Sequence, residues 1–429
     1  MDMEDVVWNT DAKYALGTYK FITWTTGTWP LQDEGIFAMI RFTIAFILEF
    51  SLLASVLLEI RLNCGNTDKT LEFFGLTAGM TTGLTKLIFV KLHQKDLRKI
   101  LLSAIKDWSS IEVKNSSAKE IIWKYTHRSK LVCRVQMSLG LLIIGSMILD
   151  AVPTSDSLQQ DNTTLSEENI RQIPLRTMCL FGNMSTSSYW TVFVLQGVQL
   201  LNSIAVNMGN DVLFFAIAMH ICGQLDALRI LCDDFKANDE KDRVLKIEKF
   251  VRRHCHLLEL AQRLENTLNN ILLVNLMTDG FHTCLAGIQI IIMSNNIDIV
   301  PFTKVSSVII IILVQLFLYS YAGDSLSSLF QDICQVIYNC PWYEFSPNNV
   351  RNLMFIIMKT HIPFHLTAGR VNTTMIVHLQ EKYIVLSYLR ITRQDTIKML
   401  LENLHSVSID IETSLDTIIQ KNITQPKIM

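Results

Sequence analysis

Six long apolar stretches constrain this chain more than anything else in it. A hydrocarbon layer about 30 Å thick takes about 20 helical residues to cross. Phe37–Ile60, Leu71–Leu92, Leu131–Val152, Trp190–His220, Ile271–Met293 and Val305–Ala322 each reach or approach that length. Any one of them fits a buried helix of a large soluble protein. Six of them, separated by polar loops, predict an all-α polytopic membrane bundle. Composition agrees: 49% of the 429 residues are hydrophobic and 18% charged, against about 25% charged in soluble domains. The net charge of −2 supplies no basic field for nucleic acid. Nine cysteines in 429 residues are too sparse for a disulfide scaffold.

Loop charge orients the bundle. Residues 92–130 hold nine Lys/Arg, among them Lys95, Arg98, Lys99 and Lys106, and residues 220–270 hold nine more, including Arg252, Arg253 and Arg263. The intervening loop, 153–189, holds only Arg171 and Arg176 and is acidic, with Asp156, Asp161, Glu167 and Glu168. The expectation is that the basic loops and the N-terminus face the cytoplasm, the reverse of a G-protein-coupled receptor. Residues 1–20 contain Asp2, Glu4, Asp5 and Lys13 and show no signal-peptide core. The sequons at Asn162 and Asn183 then fall in an outer loop and are glycosylation candidates, whereas Asn115 falls on the inner side.

Polar residues inside the apolar stretches carry the next layer of meaning. Trp190–His220 spans about 45 Å at 1.5 Å per residue, longer than the bilayer core. Gln196, Gln199, Ser203, Asn207 and Asn210 line one face of it, which must meet protein or water rather than lipid. The choice there is interhelical hydrogen bonding or a ligand or ion path. Glu49 stands near the middle of the first span, as a structural partner for a neighbouring helix or a functional group. Lys86 and Arg41 are expected to snorkel toward the cytoplasmic face. No GxSxG, HExxH, P-loop, GxGxxG or CxxC pattern occurs, so no enzymatic chemistry, catalytic residue or cofactor is expected. His254-Cys255-His256 is a poor metal site, because adjacent helical residues diverge. Cys64 and Cys179 are the pair that this topology leaves in outer loops.

Several motifs in order resemble the insect odorant receptor family. They are Tyr14 to Pro30, ending in Thr28-Trp29-Pro30; Leu76-Thr77-Ala78 followed by Lys86-Leu87; Leu97 to Ile105 with Asp107-Trp108; His220-Ile221-Cys222-Gly223-Gln224-Leu225; Gly323-Asp324-Ser325; Ile337-Tyr338-Asn339-Cys340-Pro341-Trp342-Tyr343; and Leu366-Thr367-Ala368-Gly369. The resemblance implies a subunit of an odorant-gated cation channel at the plasma membrane of olfactory sensory neurons. Such a subunit works with a co-receptor in a hetero-tetramer, with the bilayer and a small volatile odorant as its other partners. It implies a cytoplasmic segment at 1–36, a six-span domain at 37–322, a cytoplasmic anchor at 323–370 where subunits meet, and an apolar ligand pocket in the outer half of helices two to six. The expected lining is Phe73, Phe74, Thr77, Met147, Ile148, Trp190, Phe193, Val194, Gly197, Val305 and Ile309. Small apolar ligands need shape and dispersion contacts of this kind. A gustatory receptor of the same fold is the nearest alternative, with a G-protein-coupled receptor behind it.

The tail departs from the resemblance. Where the family places a seventh, pore-lining span, Val371–Thr392 contains His378, Glu381, Lys382 and Arg390, and each central charge costs about 2.5–3.5 kcal/mol to insert. Beyond it, Ile397, Leu400, Leu401, Leu404, Ile411 and Leu415 mark an amphipathic helix. The expectation is that 371–429 is an atypical tail, from alternative or read-through coding sequence, with a non-conducting variant lacking the pore helix as an alternative to the channel subunit.

Overall fold

A computed structural model describes residues 10–33, 35–62, 67–110, 116–152, 172–175, 177–181, 184–230, 240–293, 299–360, 364–369 and 371–372. These residues fall within one unit, Met1–Thr374. The sequons at Asn162 and Asn183, a Cys64–Cys179 pairing and the tail from residue 373 lie outside the described residues.

Helices account for nearly all of it: α1 (Thr10–Thr25), α2 (Ile36–Leu62), α3 (Thr67–Leu92), α4 (Gln94–Ser110), α5 (Ser116–Ala151), a single turn α6 (Met178–Phe181), α7 (Thr186–Ile230), α8 (Glu240–Met293), α9 (Ile299–Asn339) and α10 (Pro347–Thr360). Among the described residues six helices, α2, α3, α5, α7, α8 and α9, are long and apolar enough to cross a membrane. The apolar stretches read from the sequence therefore sit inside longer rods. The stretch at 190–220 is part of a 45-residue helix, and the one at 271–293 is the end of a 54-residue helix. These extensions run from the apolar segments into the basic loops, because Lys, Arg, Glu and Gln are strong helix formers that need no apolar solvent.

α5 and α7 share the largest interface, and α3 lies against α8 and α2. The outward face of α2 is bare, with Phe37, Met39, Ile47 and Phe50 exposed, as expected of a surface meant for lipid. Near the middle of α7 the burial becomes continuous: from Gly209 to Leu225 every residue is buried. That segment is the centre of the bundle.

Two backbone devices seat the short elements. Gly27 closes α1 with φ of 69°, and the Thr28 and Trp29 amides both return to the Thr23 carbonyl, so Trp29 is fully buried. Near the other end, Thr367–Ala368 pairs antiparallel with Val371–Asn372 around Gly369 at φ 68°. Asn269 on α8 clamps that hairpin, accepting the Gly369 amide at 3.0 Å and donating to the Gly369 carbonyl at 3.0 Å. The Leu366-Thr367-Ala368-Gly369 motif is thus a docking turn for α8. Between α9 and α10 the chain makes a 3-10 turn at Trp342–Glu344.

Candidate functional site

Half-buried and buried side chains of α2, α3, α5 and α7 meet in one apolar cluster at the end of the bundle that carries the acidic loop. Leu52, Val56, Phe73, Met80, Ile144, Leu175, Leu200 and Ile204 form it, with Leu53, Ile60, Leu76, Met137, Ile148 and Met208 packed around them. The eleven residues expected to line a pocket divide on this cluster. Phe73 is in it and Ile148 packs against it. Gly197 admits the Ile148 tip: a Cβ built at Gly197 would stand 4.0 Å from Ile148 Cδ1. Trp190 and Phe193 instead form a ring ladder with Tyr189, centroids 5.4 to 5.9 Å apart. Trp190 and Val194 are 43% and 59% exposed, and Phe74 is exposed as well. Thr77 donates to the Phe73 carbonyl of its own helix. Met147 is half-buried, and Val305 and Ile309 stand on α9, outside the cluster. Leu52 and Val56, on the first span, are members that sequence reasoning passed over, although their i, i+4 spacing on an apolar helix was the available signal.

Alongside the cluster the polar stripe of α7 is spent on neighbouring segments. Gln196 donates to Thr177 at 3.0 Å and accepts the Leu175 amide. Gln199 donates to Ser51 at 2.8 Å. Ser203 and Asn202 donate to the fully buried Glu49 at 2.9 and 3.3 Å. Asn210 accepts from Thr28 at 3.4 Å. The interhelical reading of this stripe therefore holds, and Glu49 is a partner for α7 across the span. Gly83 makes room for the pair: a Cβ there would lie 2.7 Å from Glu49 Oε1 and 2.8 Å from Asn207 Nδ2.

Lys86 corrects the sequence expectation. It does not snorkel: its ammonium, 1% exposed, lies 2.8 Å from Asp211 Oδ2 and 3.3 Å from the Asn207 carbonyl. Tyr319 of α9 donates to the other oxygen of Asp211 at 2.5 Å. An ammonium finds a desolvated carboxylate here before it finds water, because Asp211 faces α3 one helical turn from Asn207. Arg41 reaches back over the Trp24 ring at 4.1 Å and donates to Gln32 at 3.1 Å.

Nearer the basic loops, α4 is tied to the bundle through Asp107. Arg253 Nη1 donates to Asp107 Oδ1 at 2.7 Å while Nη2 donates to Gln224 at 2.7 Å, and His220 Nε2 lies 3.3 Å from Asp107 Oδ2. Burial alone would push the Asp107 carboxyl up. The hydrogen bonds from His220 and Arg253 outweigh it and hold the group below its ordinary value. A carboxyl lowered on folding stabilises above its unfolded value, about 3.9, and that contribution is lost as pH falls through the lower folded value. Hydrogen-exchange protection of α4 should thus stay level from neutral pH to about 4 and fall below it. Asp107→Asn should lower it at neutral pH and remove the acid fall, and an unchanged profile in that variant would show the cluster to be idle. His254, Cys255 and His256 do not converge, and among the described residues no group of His, Cys, Asp and Glu is arranged to hold a metal ion.

A long-helix bundle with six apolar spans, an apolar core cluster and a buried polar middle defines an all-α polytopic membrane protein. A family model described as 7tm Odorant receptor matches residues 66–379. The chain belongs to this odorant receptor family, which is a receptor family rather than an enzyme family. It is 24% identical over 313 residues to Odorant receptor 13a of Drosophila melanogaster, covering 67% of this chain and 71% of that one. It is 20% identical over 369 residues to Odorant receptor 46a, isoform B, of the same fly, covering 83% and 90%. Its fold matches the olfactory receptor OR5 of Machilis hrabei with a TM-score of 0.67 at 12% identity, over 87% of this chain and 98% of that one. The structure of OR5 in complex with eugenol superposes with a TM-score of 0.68 at 11% identity, over 89% and 100%.

Proposed function

We propose that this chain is a subunit of an odorant-gated cation channel that binds small apolar volatiles in the outer half of the bundle. Residues 1–36, the basic loops and the 323–370 anchor lie in the cytoplasm, and the subunit works beside a co-receptor in the plasma membrane of olfactory sensory neurons. The observation that carries the ligand assignment is the apolar cluster around Phe73, which four spans build in a chain of an odorant receptor family. A relative of the same fold holds eugenol, a small aromatic molecule. Ligand would open the channel by its differential affinity for the open state. The distribution of Lys and Arg supports the cytoplasmic N-terminus. Exposed Tyr338 at the end of α9, Tyr343 in the 3-10 turn, and Met354, Phe355 and Met358 on α10 support subunit contact in the anchor, since exposed apolar patches mark interfaces.

The test is co-expression with the co-receptor and current recording across a panel of volatiles. Phe73→Ala should raise the half-maximal concentration of an active volatile by about tenfold, the loss of about 1.4 kcal/mol of contact, while Phe74→Ala leaves it unchanged. Equal responses in the two variants would place the ligand elsewhere. A tag at Met1 detected on intact cells would overturn the orientation. If the 371–429 tail prevents conduction, the chain is silent and a chimera carrying a relative's seventh helix responds.

A further inference from the structure

A second polar stripe, on α8, is not used by the reading above. Asn275, Thr278 and Asp279 face inward at 3–4 residue spacing, and Thr278 accepts a hydrogen bond from Thr82 of α3 at 2.8 Å. Asp279 is 6% exposed and its Oδ2 has no hydrogen-bond partner. Asn275 is 2% exposed, and neither its amide nitrogen nor its oxygen completes a hydrogen bond, although it stands beside the Tyr319 hydroxyl. Asp279 is within electrostatic reach of Lys86 and Asp211. The groups converging from four helices are therefore Lys86 of α3, Asp211 of α7, Asn275 and Asp279 of α8, and Tyr319 of α9.

The charges do not balance. With both carboxylates ionised, one ammonium faces two of them in a setting where an uncompensated charge is strongly disfavoured. The deficit is a single positive charge. The uncommitted acceptors around it are Asp279 Oδ2, the Asn275 amide oxygen and a lone pair of the Tyr319 hydroxyl, with the Asn275 amide nitrogen as the one uncommitted donor among these residues. Oxygen ligands select hard cations, and a deficit of one selects a monovalent ion over a divalent one. A small crevice between α7, α8 and α9, lined by Phe214, Phe215, Leu268, Gln315 and Leu318, reaches Asp211 and Tyr319.

We infer that Asp279, Asn275 and Tyr319 form a binding site for a small monovalent cation, with sodium as its natural occupant, that completes the Lys86–Asp211 pair and pins α8 against α3, α7 and α9. This site is independent of where the volatile binds, so loss of odorant currents and loss of cation binding are separate outcomes.

The test is thermal unfolding of the purified full-length chain at pH 8 and constant ionic strength, with sodium exchanged for choline. Sodium should raise the melting temperature by several degrees in a saturable way. Asp279→Asn should abolish that rise, because it removes both the charge and the deficit. Asn275→Ala should leave the rise but require about tenfold more sodium for a lost neutral ligand. Equal melting in sodium and choline would overturn the site, and that comparison needs no variant. A sodium response unchanged in Asp279→Asn would also overturn it. So would stabilisation that follows pH alone, which would mean that a proton neutralises Asp279, or stabilisation by calcium in place of sodium.

Discussion

Replacing Lys86 with Met is expected to cost this protein about 3–5 kcal/mol, the penalty for breaking a buried ion pair by removing one partner. The side chains of Lys86 and Asp211 are 1% and 3% exposed, so solvent screening does not soften the loss. Asp211 would keep its bond from Tyr319 and lose its counter-charge. Against a total stability of about 5–15 kcal/mol, the single variant should aggregate on extraction and reach the cell surface poorly. Combining Lys86→Met with Asp211→Asn should recover most of the loss, because the amide carries no charge and still accepts the Tyr319 hydroxyl. Chromatographic monodispersity after detergent extraction reads both. If the double variant behaves no better than the single one, charge compensation is not what the pair provides.

The second large effect is local and steric. At Gly27 the backbone has φ of 69°, and an added Cβ would lie 2.5 Å from the Phe42 nitrogen and 2.9 Å from the Ala38 carbonyl oxygen. These are backbone atoms of α2, which cannot rotate away as a side-chain tip does. Left-handed strain alone costs about 1–3 kcal/mol, and relieving the contact means separating α1 from α2. Gly27→Ala should undock α1 and expose Trp29, seen as increased proteolysis of the first 30 residues and a lower melting temperature. Gly17→Ala is the matched control: nothing lies within 4 Å of a Cβ there, and helix propensity favours Ala by about 1 kcal/mol. Equal damage from both would mean that α1 does not tolerate substitution in general.

Particular elements show how far the sequence could be read. Each of the six apolar stretches contains its own length signal, so each became a helix of the structure. The α7 stripe was legible for the same reason: its polar residues recur at 3–4 spacing within one segment, and one face must avoid lipid. The α8 stripe has the same spacing, yet Asn275 and Asp279 were passed over because NILLVNLM reads as apolar around them. Lys86 was misplaced because its partner is 125 residues away. Nothing near Lys86 in the chain distinguishes a snorkelling ammonium from one buried against a carboxylate. The expected pocket spread over five helices. The apolar cluster that the structure shows draws on four, including the first span, because Leu52 and Val56 look like any other apolar residues until α3, α5 and α7 close over them.

What the chain determined by itself was periodic and local: helix positions, the faces that shun lipid, the charge asymmetry of the loops and the motif order that marks the family. Hydrophobic transfer and helical period act on neighbouring residues, so their record is written in one dimension. Which buried carboxylate meets which cation, which glycine lies against a backbone and which apolar side chains converge were decided by packing. Those relations join residues on different helices, 125 positions apart for Lys86 and Asp211, and their energies exist only when the helices are brought together.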